Sequence, residues 1–131
     1  MLDVDHFKQV NDEYGHAVGD RALRAIGETL RANTRVFDSL ARYGGEEFVV
    51  VLPGSNPDEA VAAAERLRAA VEAMTFAPLP GRLYRLTISI GVACGGCGTE
   101  TPEALLREAD VALYAAKRAG RNRVTLAAAG Q

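Results

Sequence analysis

Apolar positions along the chain switch between a helical and an alternating period, and the switches lay out the elements. Residues 2–4 read as the end of a strand, and "DHFKQVND", residues 5–12, reads as a short helical turn with Asp5 placed as its N-cap. "EYGHAVGD", residues 13–20, carries two glycines and reads as a loop from which Asp20 opens a helix. In that helix Leu23, Ile26 and Leu30 fall at i, i+3 and i+7 and make one apolar stripe. Two strand-like runs, residues 36–43 and 48–53, flank Gly44-Gly45 and predict a β-hairpin that Pro53-Gly54 ends. Residues 57–74 form an alanine-rich helix with Val61, Ala64, Leu67 and Val71 facing inward and Arg66 and Glu72 outward. "LYRLTISIGVA", residues 83–93, is a β-branched strand run. After a Gly/Cys loop, Thr101 caps a helix with Pro102 at its first position, and Gly120 ends it. "NRVTL" is a last strand. Residues 1–126 are thus expected to form one domain, with 127–131 a frayed tail. Helices alternating with a mostly antiparallel sheet predict an α+β layered domain.

Composition narrows the function classes. A chain of 131 residues builds one core. With 15 basic against 17 acidic residues and a net charge of −2, there is no cationic excess to grip a nucleic-acid backbone. No apolar run approaches the roughly 20 residues of a membrane span, and the polar start shows no signal peptide. Cys94 and Cys97 have no Cys/His partners at short spacing, so a structural zinc is not expected and the pair reads as loop thiols of a reducing compartment.

The acids carry more. Asp3 and Asp5 lie two apart at a strand end, and Glu46-Glu47 follow the glycines of the hairpin. If the first strand lies centrally beside that hairpin, the four meet at one sheet edge. Converging carboxylates cost free energy unless a cation neutralises them. Oxygen-only donors suit Mg²⁺ or Mn²⁺ with open positions for phosphate oxygens. The plainer alternative is four solvated turn residues. The first N–H groups of the helix after Asp5, with Lys8, form an anion site. Lys117, Arg118 and Arg121 in "KRAGR" add positive charge at a helix C-terminus, where they also complement the helix dipole.

Taken together, "DVDHFKQVNDEYGHAVGD", "RYGGEEF", "TISIGVA" and "ADVALYAAKRAGRNRV" resemble the GGDEF-domain diguanylate cyclases, in that family's order and spacing. The resemblance implies a palm-like (nucleotide cyclase, ferredoxin-like) sheet. It implies condensation of two GTP molecules into cyclic di-GMP and two pyrophosphates across a homodimer, with two Mg²⁺ or Mn²⁺ ions per half-site. By the same resemblance Asp3, Glu46 and the Val4 carbonyl hold metal, and Glu47 completes the second metal or helps to deprotonate the ribose 3′-hydroxyl. Phe7, through its backbone, and Lys8 hold phosphate, while Lys117 and Arg121 contact the terminal phosphates. Gly44 and Gly45 give the nucleotide room. Asn11 and Asp20 read guanine, whose two adjacent N–H groups an acid accepts together, though Asp20 also suits plain N-capping. Arg35 and Asp38 make the Arg-x-x-Asp of the family's inhibitory product site, five residues before Gly44, with Arg66 as a third member. His6 is given no role, and His16 matches a family histidine that can also simply brace its loop.

Relative to the family pattern the chain begins late. The family's N-terminal helix and its "LTGLxNR"-type segment are missing, which predicts reduced stability, nucleotide binding and dimerisation for this stretch alone. A cytoplasmic location is expected, with room for a membrane anchor in a longer parent. A non-catalytic GGDEF module that binds GTP or cyclic di-GMP as a receptor is the second reading; intact Asp3, Glu46 and Glu47 favour the enzyme. A palm-type transferase acting on nucleic acid is disfavoured by the acidic balance.

Overall fold

The alternation of periods resolves into β1 (Leu2–Val4), α1 (Phe7–Tyr14), α2 (His16–Ala32), β2 (Ser39–Arg42), β3 (Glu47–Val51), α3 (Pro57–Ala73), β4 (Phe76–Leu79), β5 (Arg82–Tyr84), β6 (Ile88–Val92), α4 (Pro102–Arg118) and β7 (Val124–Leu126) in a computed structural model. The structure describes residues 1–95 and 101–128. Five strands form one sheet in the order β2-β3-β1-β6-β7. Every pairing in it is antiparallel except β6 with β7, which α4 joins as the crossover a parallel pair requires. The fold is α+β, as expected.

β1 is short but central, and its register sets both faces. Leu2 pairs with Phe48 and Ile90, and Val4 with Ile88. Their side chains join Leu23, Ile26 and Leu30 of α2 and Ala64, Leu67 and Val71 of α3 in the main core. The α2 stripe therefore faces the sheet, and so does the α3 stripe except at Val61, which is half-buried while Ala60 and Ala63 are buried in its stead. Asp3 pairs with Ser89 on the opposite face, with Gly91 two residues further along. Here α4 lies directly on the sheet: a Cβ at Gly91 would overlap the backbone of Ala109 and Leu113. Burying Ala109, Ala112, Leu113 and Ala116 against this face brings the C-terminal end of α4 to the end of β1.

Four expectations need correction. Asp5 does not cap α1: His6 occupies that position with φ 55° and no side-chain bond, and Asp5 is buried. The loop expected at 13–20 shrinks to Gly15 (φ 92°), and α2 begins at His16, so Asp20 lies within the helix and does not open it. Gly19 misled because it serves close packing and not a turn; a Cβ there would overlap the Asn11 side chain. The strand expected from residue 36 starts at Ser39, because Arg35 and Asp38 close a local turn (Asp38 N–H to Arg35 carbonyl, 3.0 Å). The run 83–93 is broken, and its first part pairs with Phe76–Leu79 in a separate small hairpin around Gly81 (φ 76°). Thr101 caps α4 as expected, accepting from Ala104 N–H at 3.1 Å. Ala127 N–H still donates to the Val92 carbonyl at 2.7 Å. Cys94 is a free thiol; Cys97 and residues 129–131 lie outside the described residues.

Candidate functional site

Strand β1 ends between the β2–β3 hairpin and the end of α4, and the charged groups gather there. Asp3 is 5% exposed. Its Oδ2 accepts from Lys117 Nζ of α4, while its Oδ1 is buried without a partner. The hairpin tip brings up Glu46: Val4 N–H donates to its carbonyl at 3.2 Å. Burial first, and then the charge of Asp3, push the Glu46 pKa above the usual glutamate range. A cleft of about 320 Å³ opens here, lined by Asp3, Val4, Asp5, His6 and Glu46, by Phe7, Lys8 and Gln9 of α1, and by Lys117 and Arg121.

The walls of this cleft are strained. Among the described residues the only non-glycine residues with left-handed φ are His6 (55°), Arg121 (65°) and Asn122 (48°). His6 and Arg121 line the cleft. Such conformations persist where surrounding structure holds them. The holder is Asp5, whose carboxylate accepts from Thr87 Oγ1 (2.7 Å), Ser89 Oγ (2.6 Å) and Asn122 N–H (3.0 Å). Asp5 therefore does not join the acidic cluster. The alternating polar positions of "TISI" were the available signal for Thr87 and Ser89; nothing local pointed to Asn122.

Glu47 is placed differently from its neighbour. It is the cross-strand partner of Asp3 in the β1–β3 pair, its carboxylate lies beside Gly44, and it also lines a second cleft with Met1, Tyr43, Arg107 and Asp110. Among the described residues no group of three or more His, Cys, Asp and Glu could hold a metal ion. The structure brings together two carboxylates, Asp3 and Glu46, rather than four. Those two, with the Val4 carbonyl on the cleft wall, are an all-oxygen donor set, and the orphaned Asp3 Oδ1 is an acceptor awaiting a cation. The residues fit a hard divalent ion.

Gly44 and Gly45 do not have left-handed φ, and a Cβ at Gly45 would meet nothing within 4 Å. The turn itself does not demand glycine at 45. Arg42 instead fastens the tip, donating to the Gly45 carbonyl at 2.7 Å, a brace no spacing pattern revealed. Asn11 Oδ1 is buried without a partner where α1 crosses α2, and exposed Asp20 follows Gly19 at that crossing.

A second charged corner lies on the loop before β2. Arg35 donates to Asp38 Oδ1 at 2.9 Å through its guanidinium and to Oδ2 at 2.7 Å through its backbone. It also reaches Ser55 Oγ (3.2 Å) and sits 4.4 Å from the Phe37 ring centroid. The Arg35 hydrogen bond lowers the Asp38 pKa. Arg66 of α3 donates twice to the Asn33 carbonyl at 3.2 Å, and its charge is felt by Asp38.

Comparison with known proteins identifies the family. The family model "Diguanylate cyclase, GGDEF domain" matches residues 1–123. The chain belongs to the GGDEF family. This GGDEF domain is 44% identical over 96% of its length to diguanylate cyclase A of Treponema denticola, and 45% identical over 95% to the response regulator PleD of Caulobacter vibrioides. It spans 34% and 28% of those proteins, about a third of their length. Among solved structures it resembles the GGDEF domain of DgcB from Caulobacter crescentus in complex with c-di-GMP (TM-score 0.89, 35% identity, 95% of this chain and 74% of that one). It also resembles diguanylate cyclase SiaD from Pseudomonas aeruginosa, solved with its activator SiaC (TM-score 0.90, 39% identity, 96% and 48%).

Proposed function

We propose that this GGDEF domain is one half-site of a diguanylate cyclase: it binds GTP and, facing a second copy, joins two GTP into cyclic di-GMP with release of two pyrophosphates. The observation that carries this reading is the Asp3–Glu46 pair, short of positive charge, in a cleft that also holds Lys117 and Arg121. Mg²⁺ or Mn²⁺ held by Asp3, Glu46 and the Val4 carbonyl would neutralise phosphate charge and acidify the attacking 3′-hydroxyl. Lys117 serves as the counter-charge of Asp3 in this structure and becomes available to a terminal phosphate when a cation takes that place. Arg121 binds the same end of the triphosphate. The α1 N-terminus, at Phe7 and Lys8, holds the remaining phosphate oxygens. Asn11, with its unpartnered Oδ1, and Asp20 read the guanine edge. Gly45 leaves the nucleotide open space, whereas at Gly44 a side chain would meet the Glu47 carboxylate. Glu47, the cross-strand partner of Asp3, accepts the 3′-hydroxyl proton or helps to hold a second cation.

Arg35, Asp38 and Arg66 are proposed to bind cyclic di-GMP as an inhibitory product site. The domain is placed in the cytoplasm, where GTP is found; among the described residues no helix is long and apolar enough to cross a membrane.

The test is incubation of the chain, alone and fused to a dimerising coiled coil, with GTP and Mg²⁺, followed by chromatography for cyclic di-GMP. Product from the dimerised form supports the reading. No product from either form, with cyclic di-GMP still binding at Arg35, overturns it in favour of a receptor module.

A further inference from the structure

Asp5 is the buried carboxylate that the mechanism leaves unused. It is 6% exposed, and each of its oxygens already accepts hydrogen bonds, so it is not free to ligate a cation. What it grips is the loop between α4 and β7. That loop carries two consecutive non-glycine residues in left-handed conformation, Arg121 and Asn122. Left alone, such a pair relaxes. Asn122 N–H is held by Asp5 Oδ2 (3.0 Å) and Ser89 Oγ (3.2 Å). Its side-chain amide donates to Glu72 (2.6 Å) and accepts from Arg68 (2.9 Å). Arg121 is the residue just before this anchor, and it lines the cleft.

We propose that Asp5 is a positioning residue for the triphosphate tail: by fixing Asn122 it holds Arg121 in the strained conformation that aims it into the cleft. The inference rests on the GTP-binding reading above. It separates Asp5 from Asp3, two residues away on the same strand end. Asp3 faces the ion and phosphate; Asp5 lines the same cleft with both oxygens already engaged, and acts through Arg121. Its loss should therefore be felt by a ligand with a full triphosphate and ignored by one that stops at the α-phosphate.

The experiment measures GTP and GMP binding by calorimetry in Mg²⁺ for wild type, Asp5→Asn, Arg121→Ala and the double variant. The asparagine keeps the shape but presents an amide in place of one acceptor. Asp5→Asn and Arg121→Ala should each weaken GTP by about tenfold, the scale of one charge-assisted contact, with GMP unchanged. The double variant should be no weaker than Arg121→Ala, since both remove the same contact. Multiplying losses in the double variant, or equal loss of GTP and GMP in Asp5→Asn, overturns the proposal. Should Asp5→Asn fail to fold, Ser89→Ala removes one of the two acceptors of Asn122 N–H; a smaller loss confined to GTP supports the proposal, and a loss shared with GMP overturns it. A wild type that binds neither nucleotide overturns the cyclase reading itself and this inference with it, a result distinct from multiplying losses in a wild type that binds GTP.

Discussion

The cleft at the end of β1 and the corner at Arg35 both pair acids with bases, but they are assembled in opposite ways. In the cleft the partners are far apart in sequence: Lys117 meets Asp3 across 114 residues, and Asn122 meets Asp5 across 117. At the corner Arg35 and Asp38 are three apart and close on each other. The cleft is also electrically unfinished, with Asp3 Oδ1 unpartnered and Glu46 resisting ionisation. The corner is already satisfied. A preassembled and unbalanced site is what phosphoryl transfer requires, because the positioning is done before the reactants arrive. The Arg35 side chain is exposed but that of Asp38 is buried, so a ligand that opens this pair must itself satisfy the Asp38 carboxylate. Fold and chemistry should thus be entangled in the cleft and separable at the corner.

The largest expected effect tests that separation. Asp3→Asn removes the charge proposed to hold the cation. Cyclic di-GMP formation should fall by about a thousandfold, equivalent to roughly 4 kcal/mol of transition-state stabilisation. Cyclic di-GMP affinity, measured by calorimetry, should stay at the wild-type value. A parallel drop in both would show that the two regions are one unit.

Arg35→Ala is the converse. The cyclic di-GMP concentration that half-inhibits turnover should rise by about 10- to 100-fold, the worth of hydrogen bonds from a charged group. The uninhibited rate should stay as it is, while the melting temperature at neutral pH should fall slightly, because Asp38 loses the hydrogen bonds that favour its charged form. Inhibition as strong as wild type would remove the corner from the product site.

Lys117→Met measures the entanglement directly. It leaves the buried Asp3 charge without its partner, so without divalent cations stability should fall by about 1–2 kcal/mol. Added Mg²⁺ should restore part of that loss by giving Asp3 a new counter-charge. Melting curves with and without Mg²⁺ decide this, and a loss that Mg²⁺ leaves untouched would argue against a cation at Asp3.

The same contrast explains what the sequence disclosed. Local periodicity showed the α2 stripe of Leu23, Ile26 and Leu30, the hairpin around Gly44-Gly45 and the Thr101 cap, because each depends on near neighbours. The Arg35–Asp38 turn was equally local. Asp5 was misassigned because its partners, Thr87, Ser89 and Asn122, come from distant strands and loops, and a cap was the only local role for it. Gly19 was taken for a turn because packing of α1 on α2 leaves no mark in spacing. The β4 strand was hidden by Pro78 and by its brevity. Glu46 and Glu47 are indistinguishable in sequence; only the fold makes Glu47 the cross-strand partner of Asp3 and sets Glu46 on the wall of the cleft at the end of β1.

The smallest effect concerns pH, where the two regions should carry opposite signs. Glu46 has a raised pKa in the folded chain, so between its unfolded and folded values the native state holds the extra proton. Its contribution therefore destabilises the fold as pH rises through that window and remains unfavourable above it. Glu46→Gln should remove this slope and raise the melting temperature at neutral pH without divalent cations, by about 1–2 °C. Cation binding needs the carboxylate, so the stabilisation given by Mg²⁺ should grow with pH through the same window in wild type and stay flat in Glu46→Gln. Asp38 has a lowered pKa because Arg35 bonds its charged form. Its contribution is present above the unfolded value and is lost as pH falls through the folded one, and Arg35→Ala should erase it. One acid thus gains from acidification and the other loses. Melting profiles in which both variants remove slopes of the same sign would mean that Glu46 is stabilised as an anion, and the unmet charge on which the cation site rests would not exist.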